Sequence, residues 1–287
     1  MRSKAPAGKS IALEKLNSPV VVWDSDIFDP RKRLAGFETR QQAKTRRADL
    51  IRALNAGDNP SRELAEVLAA CSTGARCGIS ICPFCMRRCR ARFLIPKICA
   101  WIARWQDSTG LRGVAISAVP AELKLDSGEL HNLDLAKMLD SFRQQLRRAG
   151  YGDGIAVAGV DLSFNEHSEG LWTPHWQPHF YGIVLTANST KQVKADLEKY
   201  FASDESVRVP IKVNRLKHPM RAVSYLWKPF FQRRISYVAP NGRQAARKLP
   251  LRPKQLREVA SYFADKAPTE RLLFIGIRRR GQELVKA

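Results

Sequence analysis

The stretch Trp172-Thr-Pro-His-Trp-Gln-Pro-His-Phe-Tyr-Gly-Ile-Val184 joins two histidines, each preceded by proline, to an apolar run. Side chains two positions apart on a strand share a face, so His179 and Tyr181 point the same way if residues 178–186 are extended. His175 joins that face only if the strand begins earlier; otherwise it hangs from the preceding loop and folds over the site. The segment therefore predicts a strand with a candidate metal-binding face.

Asp161 lies in the preceding apolar run, residues 154–164, which we expect to pair antiparallel with the histidine strand. A carboxylate with histidines and open coordination positions suits Mg²⁺ or Mn²⁺, which can also hold a phosphate oxygen. We therefore predict a divalent-ion site made of Asp161, His175 and His179. The alternative is that His179 packs inside an apolar strand and that Asp161 is a solvated edge residue.

Around this segment, apolar periodicity alternates between strands and helices in a β-α-β-β-α-β order with one further helix. That order is the split β-α-β arrangement. We predict an α+β fold, a ferredoxin-like antiparallel sheet backed by helices, with an N-terminal helical and zinc-binding segment. The predicted strands are 113–119, 154–164, 178–186 and 206–213, and the predicted helices are 133–148, 191–201 and 220–231.

Three regions follow from this pattern. Residues 1–110 form an N-terminal helical region that contains the cysteine-rich segment 71–89. Residues 111–235 form the sheet domain, and residues 236–287 form a basic C-terminal extension with a helix and a strand of its own.

Tyr225 and Lys228 stand three residues apart on a predicted helix, so both side chains face one side. Free tyrosine has a pKa near 10 and is a poor nucleophile at neutral pH. A neighbouring ammonium favours the phenolate and stabilises charge on a phosphate in the transition state. The pair is therefore a candidate for attack on a phosphodiester, although most tyrosines on apolar helices are core residues.

Five cysteines fall within 19 residues, and the Cys82-Pro-Phe-Cys85 pair has the spacing with which two thiolates meet one Zn²⁺. Tetrahedral zinc takes four ligands, so we predict a structural zinc site with one spare cysteine. Cys82 and Cys85 are the first choice, then Cys77. Arginines flank the cluster and predict DNA contacts there. The five candidates are Cys71, Cys77, Cys82, Cys85 and Cys89, and the arginines are Arg87, Arg88 and Arg90.

The charge balance points to a polyanionic partner, because 49 Lys and Arg outnumber 27 Asp and Glu and give a net charge of +22. Aromatic residues near the histidine and tyrosine motifs, Trp176 and Trp227 among them, can stack on single-stranded bases, although such residues are more often core. No apolar stretch reaches the length of a membrane span, and the first residues lack the apolar core of a signal peptide. We therefore predict a cytoplasmic protein without a membrane partner.

Together these motifs resemble the plasmid rolling-circle replication initiators of the HUH endonuclease superfamily. The similarity runs over residues 71–231 through the cysteine segment, the strand 113–120, the histidine segment and the tyrosine–lysine helix. Asp161-Leu-Ser-Phe-Asn165 stands where that family has Glu-x3-Asn. Gln177 and Tyr181 stand at two of its histidine positions, and His179 keeps the register.

The resemblance implies an HUH-type nuclease domain over residues 111–235. It implies an enzyme that nicks one strand of a single-stranded or cruciform origin, stays attached to the 5′ end through Tyr225, and leaves a 3′-hydroxyl for a polymerase. Lys228 assists, Mg²⁺ or Mn²⁺ polarises the phosphate, and a host helicase and polymerase are expected partners. A single-tyrosine transposase or relaxase, or a non-catalytic zinc-stabilised DNA-binding protein, remains the alternative.

Overall fold

The computed structural model describes residues 38–90, 95–152, 154–226, 228, 230–280 and 283–286. Its helices are α1 (Arg40–Asn55), α2 (Asn59–Ala70), α3 (Pro83–Cys89), α4 (Ile95–Thr109), α5 (Leu135–Leu146), α6 (Thr190–Glu198), α7 (Pro219–Leu226) and α8 (Pro253–Phe263). Its strands are β1 (Arg112–Ala118), β2 (Leu125–Asp126), β3 (Ile155–His167), β4 (His175–Thr186), β5 (Ile211–Arg215), β6 (Gln232–Val238), β7 (Gln244–Pro250), β8 (Leu272–Ile275), β9 (Ile277–Arg280) and β10 (Glu283–Lys286).

The histidine segment forms β4, an inner strand of an eight-stranded sheet with the order β5-β1-β4-β3-β6-β7. Short β2 also pairs with β4, and β8 pairs with β3 beyond the end of β6. Every pair in this sheet is antiparallel except β3 with β6. The predicted α+β class with an antiparallel-dominated sheet backed by helices is confirmed, whereas the ferredoxin-like arrangement stays a prediction.

Two predicted elements are shorter than the sequence pattern indicates. The strand expected from residue 206 begins only at Ile211, because the Asp204 carboxylate accepts hydrogen bonds from the backbone N–H groups of Ser206 and Val207 and folds that segment into a turn. The helix expected over 220–231 ends at Leu226. Residues 232–238, beyond its expected end, form the edge-side strand β6.

The C-terminal third is part of the sheet. Strands β6 and β7 form a hairpin around the Asn241-Gly242 turn, where Gly242 adopts a positive φ of 74°. This hairpin begins before residue 236 and so crosses the predicted start of the C-terminal extension. The predicted division into three regions stays a prediction, but hydrogen bonds join the last two of them through β3–β6 and β3–β8.

Strand alternation gives the sheet two different faces. On one face Trp176, Phe180 and Val184 of β4 pack in a large apolar cluster with α5, α8 and the cysteine segment. On the other face Ile183 and Leu185 pack with α4 and α7 in a second cluster. No helix in the described part of the chain is long and apolar enough to cross a membrane.

Candidate functional site

The face of β4 that carries Ile183 becomes polar towards the start of the strand. Gln177, His179 and Tyr181 follow each other at alternate positions there, and Asp161 and Ser163 of β3 lie opposite His179 and Gln177 in the register. Asp161 and Gln177 are almost fully buried, with 4% and 1% of their surface exposed. Buried polar groups at such density need partners, so this end of the face is a candidate site rather than core.

Lys228 supplies the main partner of Asp161: its Nζ donates a hydrogen bond to Asp161 Oδ2. His179 lies on the other side, with Nδ1 3.8 Å from the same carboxylate oxygen and Nε2 3.2 Å from Ser163 Oγ. Burial raises the pKa of Asp161, but the charges of Lys228, His179 and Arg271 and the hydrogen bond from Lys228 together outweigh burial and hold that pKa below its usual value. Burial lowers the pKa of His179 to about 4, so the imidazole is neutral at pH 7.

Tyr225 lies beside this pair at the end of α7. Its ring centroid is 5.7 Å from that of Tyr181, and Lys228 Nζ is 5.7 Å from the Tyr225 centroid. Tyr225 is half-buried and lines the same cleft as Asp161 and His179. The predicted pair Tyr225 and Lys228 is thus brought together with the strand residues. Tyr237, the next tyrosine along the chain, points to the opposite face of β6 from the cleft-lining Ser236.

The end of α7 is held against β3 by close backbone packing. Gly159 lies so near this helix that a Cβ built on it would be 1.6 Å from the carbonyl oxygen of Leu226. Arg271, fully buried, donates to the carbonyl of Val160 at 2.8 Å and to that of Lys228 at 3.4 Å. Buried Arg90 donates to the carbonyl of Ser224 at 2.7 Å. These contacts to the backbone of Ser224, Leu226 and Lys228 fix the positions of Tyr225 and Lys228.

The site opens into a cleft of about 510 Å³ between β3, β4, the segment before β5 and the β6–β7 hairpin. Among the residues that the structure describes, five cationic side chains line it against one carboxylate, that of Asp161. Such an excess of positive charge around a concave surface attracts phosphate groups. The cations are Arg208, Lys212, Lys228, Arg234 and Lys248.

The predicted divalent-ion ligands do not come together as a set of three. Strand β4 does begin early, at His175, but that residue lies opposite Asn165, four ladder pairs away from the His179–Asp161 pair. His175 is buried, its Nδ1 lies 2.8 Å from the Thr173 carbonyl, and it does not line the cleft. Within the described ranges, the only group of three or more Cys, His, Asp or Glu ligand atoms close enough for a metal ion consists of cysteines.

That group resolves which four of the five cysteines belong together. The sulfur atoms of Cys71, Cys77, Cys82 and Cys85 all lie within 4.8 Å of one another, and three of their separations are 3.6 Å. A tetrahedral zinc–thiolate site has sulfur–sulfur edges of about 3.8 Å, given Zn–S bonds of about 2.3 Å. The four cysteines are therefore close enough to bind a metal ion. Cys89 packs in the second apolar cluster instead.

The residues predicted to contact DNA differ in how far they are exposed. Arg90 and Trp176 are both 0% exposed, so neither meets a ligand at the surface: Arg90 contacts α7, and Trp176 packs edge-on against Phe164. Arg87 and Arg88 are half-buried, and Arg87 Nε lies 3.4 Å from the Glu38 carbonyl. Trp227 lies outside the described residues.

The cationic wall of the cleft was not anticipated from the motifs. Lys212, Arg234 and Lys248 come from β5, β6 and β7; Arg234 lies beyond the predicted helix 220–231, and Lys248 lies in the predicted basic extension. The alternation of Gln232, Arg234 and Ser236 with other residues was the available signal, since side chains at that spacing share a strand face.

Comparison with known proteins gives no match to a family model, a curated protein or a solved structure.

Proposed function

We propose that this protein nicks and joins single-stranded DNA through Tyr225. The observation that carries the proposal is the placement of Tyr225 beside Lys228, Asp161 and His179 in a cleft lined by five cationic side chains and one carboxylate. The net charge of +22 supports nucleic acid as the substrate. The resemblance of the motifs to those of rolling-circle initiators makes replication of a plasmid the favoured setting, with a transposase or relaxase as the alternative.

In the proposed step the Tyr225 Oη attacks the scissile phosphorus. An O–P bond forms to the phenol as the P–O3′ bond breaks, which leaves a 5′-phosphotyrosine and a 3′-hydroxyl. The phenolic proton must leave and the departing O3′ must gain one; His179, which is neutral at pH 7 and lines the same cleft as Tyr225, can accept the first and supply the second. Lys228 stabilises the charge that develops on the phosphate oxygens. Re-attack by a 3′-hydroxyl reverses these changes and joins the strands.

This proposal has two forms, which differ in the cation that stabilises the phosphate: the Lys228 ammonium or a bound divalent ion. Asp161 and His179 offer two ligand atoms for Mg²⁺ or Mn²⁺, but Lys228 already neutralises Asp161 and His175 stands apart. An ion would therefore have to displace the ammonium from Asp161. Nicking in the presence of EDTA would assign the electrostatic role to Lys228, and strict dependence on Mn²⁺ would assign it to a bound ion.

The test is covalent capture of DNA. Single-stranded oligonucleotides tiled across the DNA around the chain's own gene, labelled at the 3′ end, are incubated with protein and Mn²⁺. Wild type is expected to form a labelled adduct that survives SDS, since the 3′ product keeps the 5′-phosphotyrosine link. Tyr225→Phe removes the attacking oxygen and should form none, while the control Tyr237→Phe should match wild type. An equal adduct in Tyr225→Phe would exclude Tyr225 as the nucleophile.

A second candidate, a non-catalytic DNA-binding protein, is favoured by one specific observation. The carboxylate expected to hold a metal ion is bound by Lys228, and two family histidine positions carry Gln177 and Tyr181. If no oligonucleotide is cut or captured with either ion while DNA still binds, this second function replaces the first.

We further propose that the four-cysteine cluster holds structural Zn²⁺. The all-sulfur set, the near-tetrahedral spacing and the burial of three of the four residues support zinc over harder cations. Purified protein should contain one zinc per chain, and Cys85→Ser should lose it. Cys89→Ser is the matched control and should keep the metal.

A further inference from the structure

A second cavity of about 310 Å³ adjoins the basic cleft. It lies between α1, the start of α3, β7 and α8, and it shares Phe230, Gln232 and Lys248 with the cleft. Ten of its fourteen lining residues are apolar, in contrast to the cationic cleft. The two cavities therefore adjoin at three shared residues but differ in chemistry, one suited to phosphates and the other to an apolar, planar group.

The wall of this second cavity carries a stacked cation and ring. The guanidinium carbon of Arg46 lies 3.5 Å from the centroid of Phe230. An ion pair with buried Glu38, at 2.6 Å, holds the guanidinium in place. A guanidinium stacked on a ring presents a flat, partly exposed surface, and nucleobases stack on both arginine planes and aromatic rings.

The junction between the cavities has the polar groups that a nucleotide needs. Lys248 lines both cavities and can hold a phosphate that links a nucleotide in the cleft to one in the pocket. The amide of Gln232, which also lines both, can donate to and accept from the edge of a base. The pocket volume lies at the lower end of small-ligand sites, so it suits a single base rather than a duplex.

We propose that this pocket receives one nucleobase of the DNA strand whose backbone lies in the cleft. It would thereby fix the register of the strand against Tyr225 and confer a sequence preference at one position. The inference rests on the proposed function only in that the ligand is single-stranded DNA; it does not require that the strand be cut.

The test is a double-change cycle: one change fills the pocket by a substitution in the protein, and the other removes one base from the DNA. Leu256, half-buried on α8, lines the pocket, and Leu256→Trp would fill it. Val67→Trp adds a similar bulk at an exposed position on α2 and is the control. All proteins carry Tyr225→Phe, so that binding is measured without covalent capture. Affinities for an oligonucleotide that is made abasic at each position in turn are measured by fluorescence anisotropy, with circular dichroism to verify folding.

One abasic position is expected to weaken binding by roughly five- to a hundredfold with an open pocket, which is the range of base stacking. Leu256→Trp should bind the intact oligonucleotide more weakly by the same factor. Removing the base at that same position should then reduce the affinity of Leu256→Trp hardly at all. Val67→Trp should behave like the open-pocket protein. The base pocket would be overturned if each abasic position reduced the affinity of the open-pocket protein and of Leu256→Trp by the same factor. Failure of covalent capture alone would overturn nicking and leave this pocket standing.

As a second measurement, Phe230→Leu keeps an apolar side chain but removes the stacking ring. It should reproduce the position-specific loss if the pocket holds a base. An unchanged dependence on the same abasic position in a folded Phe230→Leu protein would contradict the proposal independently of the filled-pocket variant.

Discussion

Asp161 and Lys228 form an ion pair in which the carboxylate is almost fully buried at the base of the cleft. Such pairs contribute little net stability, because the desolvation of two charges offsets their attraction. Removing one partner, however, leaves an uncompensated buried charge. The pair is therefore better explained as a means of holding an ammonium at a fixed point beside Tyr225 than as a stabilising device.

His179 gives a pH dependence whose sign follows from its buried state. Its pKa is about 4 in the folded protein and near 6.5 when unfolded, so the unfolded state binds the proton first as pH falls. Stability is therefore complete above pH 6.5 and decreases as pH falls towards 4. Between pH 7 and pH 4.5 this residue should cost about 2 kcal/mol of unfolding free energy.

The measurement is urea denaturation of wild type and His179→Gln in EDTA at several pH values in that window. The variant should lose about 2 kcal/mol less than wild type over the same interval. Asp161 stays ionised throughout the window, because its folded pKa lies below the usual value, so it does not obscure the comparison. Parallel pH profiles for the two proteins would show that His179 is not buried as described.

At the scale of elements, the site depends on how closely α7 approaches β3. The helix delivers Tyr225 and Lys228 at its C-terminal end, and the strand delivers Asp161 two residues after Gly159. A side chain at Gly159 would clash with the backbone of Leu226 rather than with a movable side-chain tip. Glycine at this position is thus a requirement of helix–strand packing and not of backbone dihedral angles.

Gly159→Ala is expected to push the end of α7 away from the sheet and to lower stability by about 2–3 kcal/mol, the usual cost of overpacking. Covalent capture of DNA should fall with it, because Tyr225 and Lys228 move relative to Asp161. Gly182→Ala on the neighbouring strand is the control, since its nearest contact would be the Ala158 methyl at 3.3 Å. Chemical denaturation and the capture assay read the two effects separately. Unchanged behaviour of Gly159→Ala would contradict the packing.

At the scale of the whole molecule, the cysteine cluster and the sheet share one apolar core. Cys71, Cys82 and Cys85 belong to the same buried cluster as Trp176 and Phe180 of β4. From the other end of α3, Arg90 contacts the helix that bears Tyr225. A metal ion at the cysteines would therefore stabilise the sheet and the site together, rather than a small zinc-binding module that folds separately.

Removal of the proposed zinc by a strong chelator should lower the melting temperature by roughly 10 °C or more, since the metal's binding energy is then lost from folding. The loss should appear at the same temperature in far-ultraviolet circular dichroism and in tryptophan fluorescence, because the core is shared. Cys99 lies outside the cluster, so Cys99→Ser should show the same fall in melting temperature on chelation as wild type does. A chelated protein with an unchanged melting temperature would show that the cluster is only a group of buried thiols.

Local sequence pattern was sufficient for several features. Short apolar runs predicted β3 and β4, amphipathic spacing predicted α5, and the Cys-x2-Cys knuckle predicted two of the four clustered thiols. The i, i+3 spacing predicted that Tyr225 and Lys228 lie on one side of a helix; the helix ends at Leu226, but both side chains line the same cleft. These signals depend on distances along a single strand, helix or turn, which the chain's own geometry sets.

By itself, then, the sequence determined the α+β class, the basic character, the cysteine cluster and the tyrosine–lysine pair. Only the tertiary structure decided that Lys228 reaches Asp161, that His175 stands apart from His179, and that Cys89 is the spare cysteine. It also decided that the β6–β7 hairpin supplies one wall of the cleft. Those outcomes depend on strand register and on how helices lie against the sheet, and both are set by packing between segments far apart in the chain.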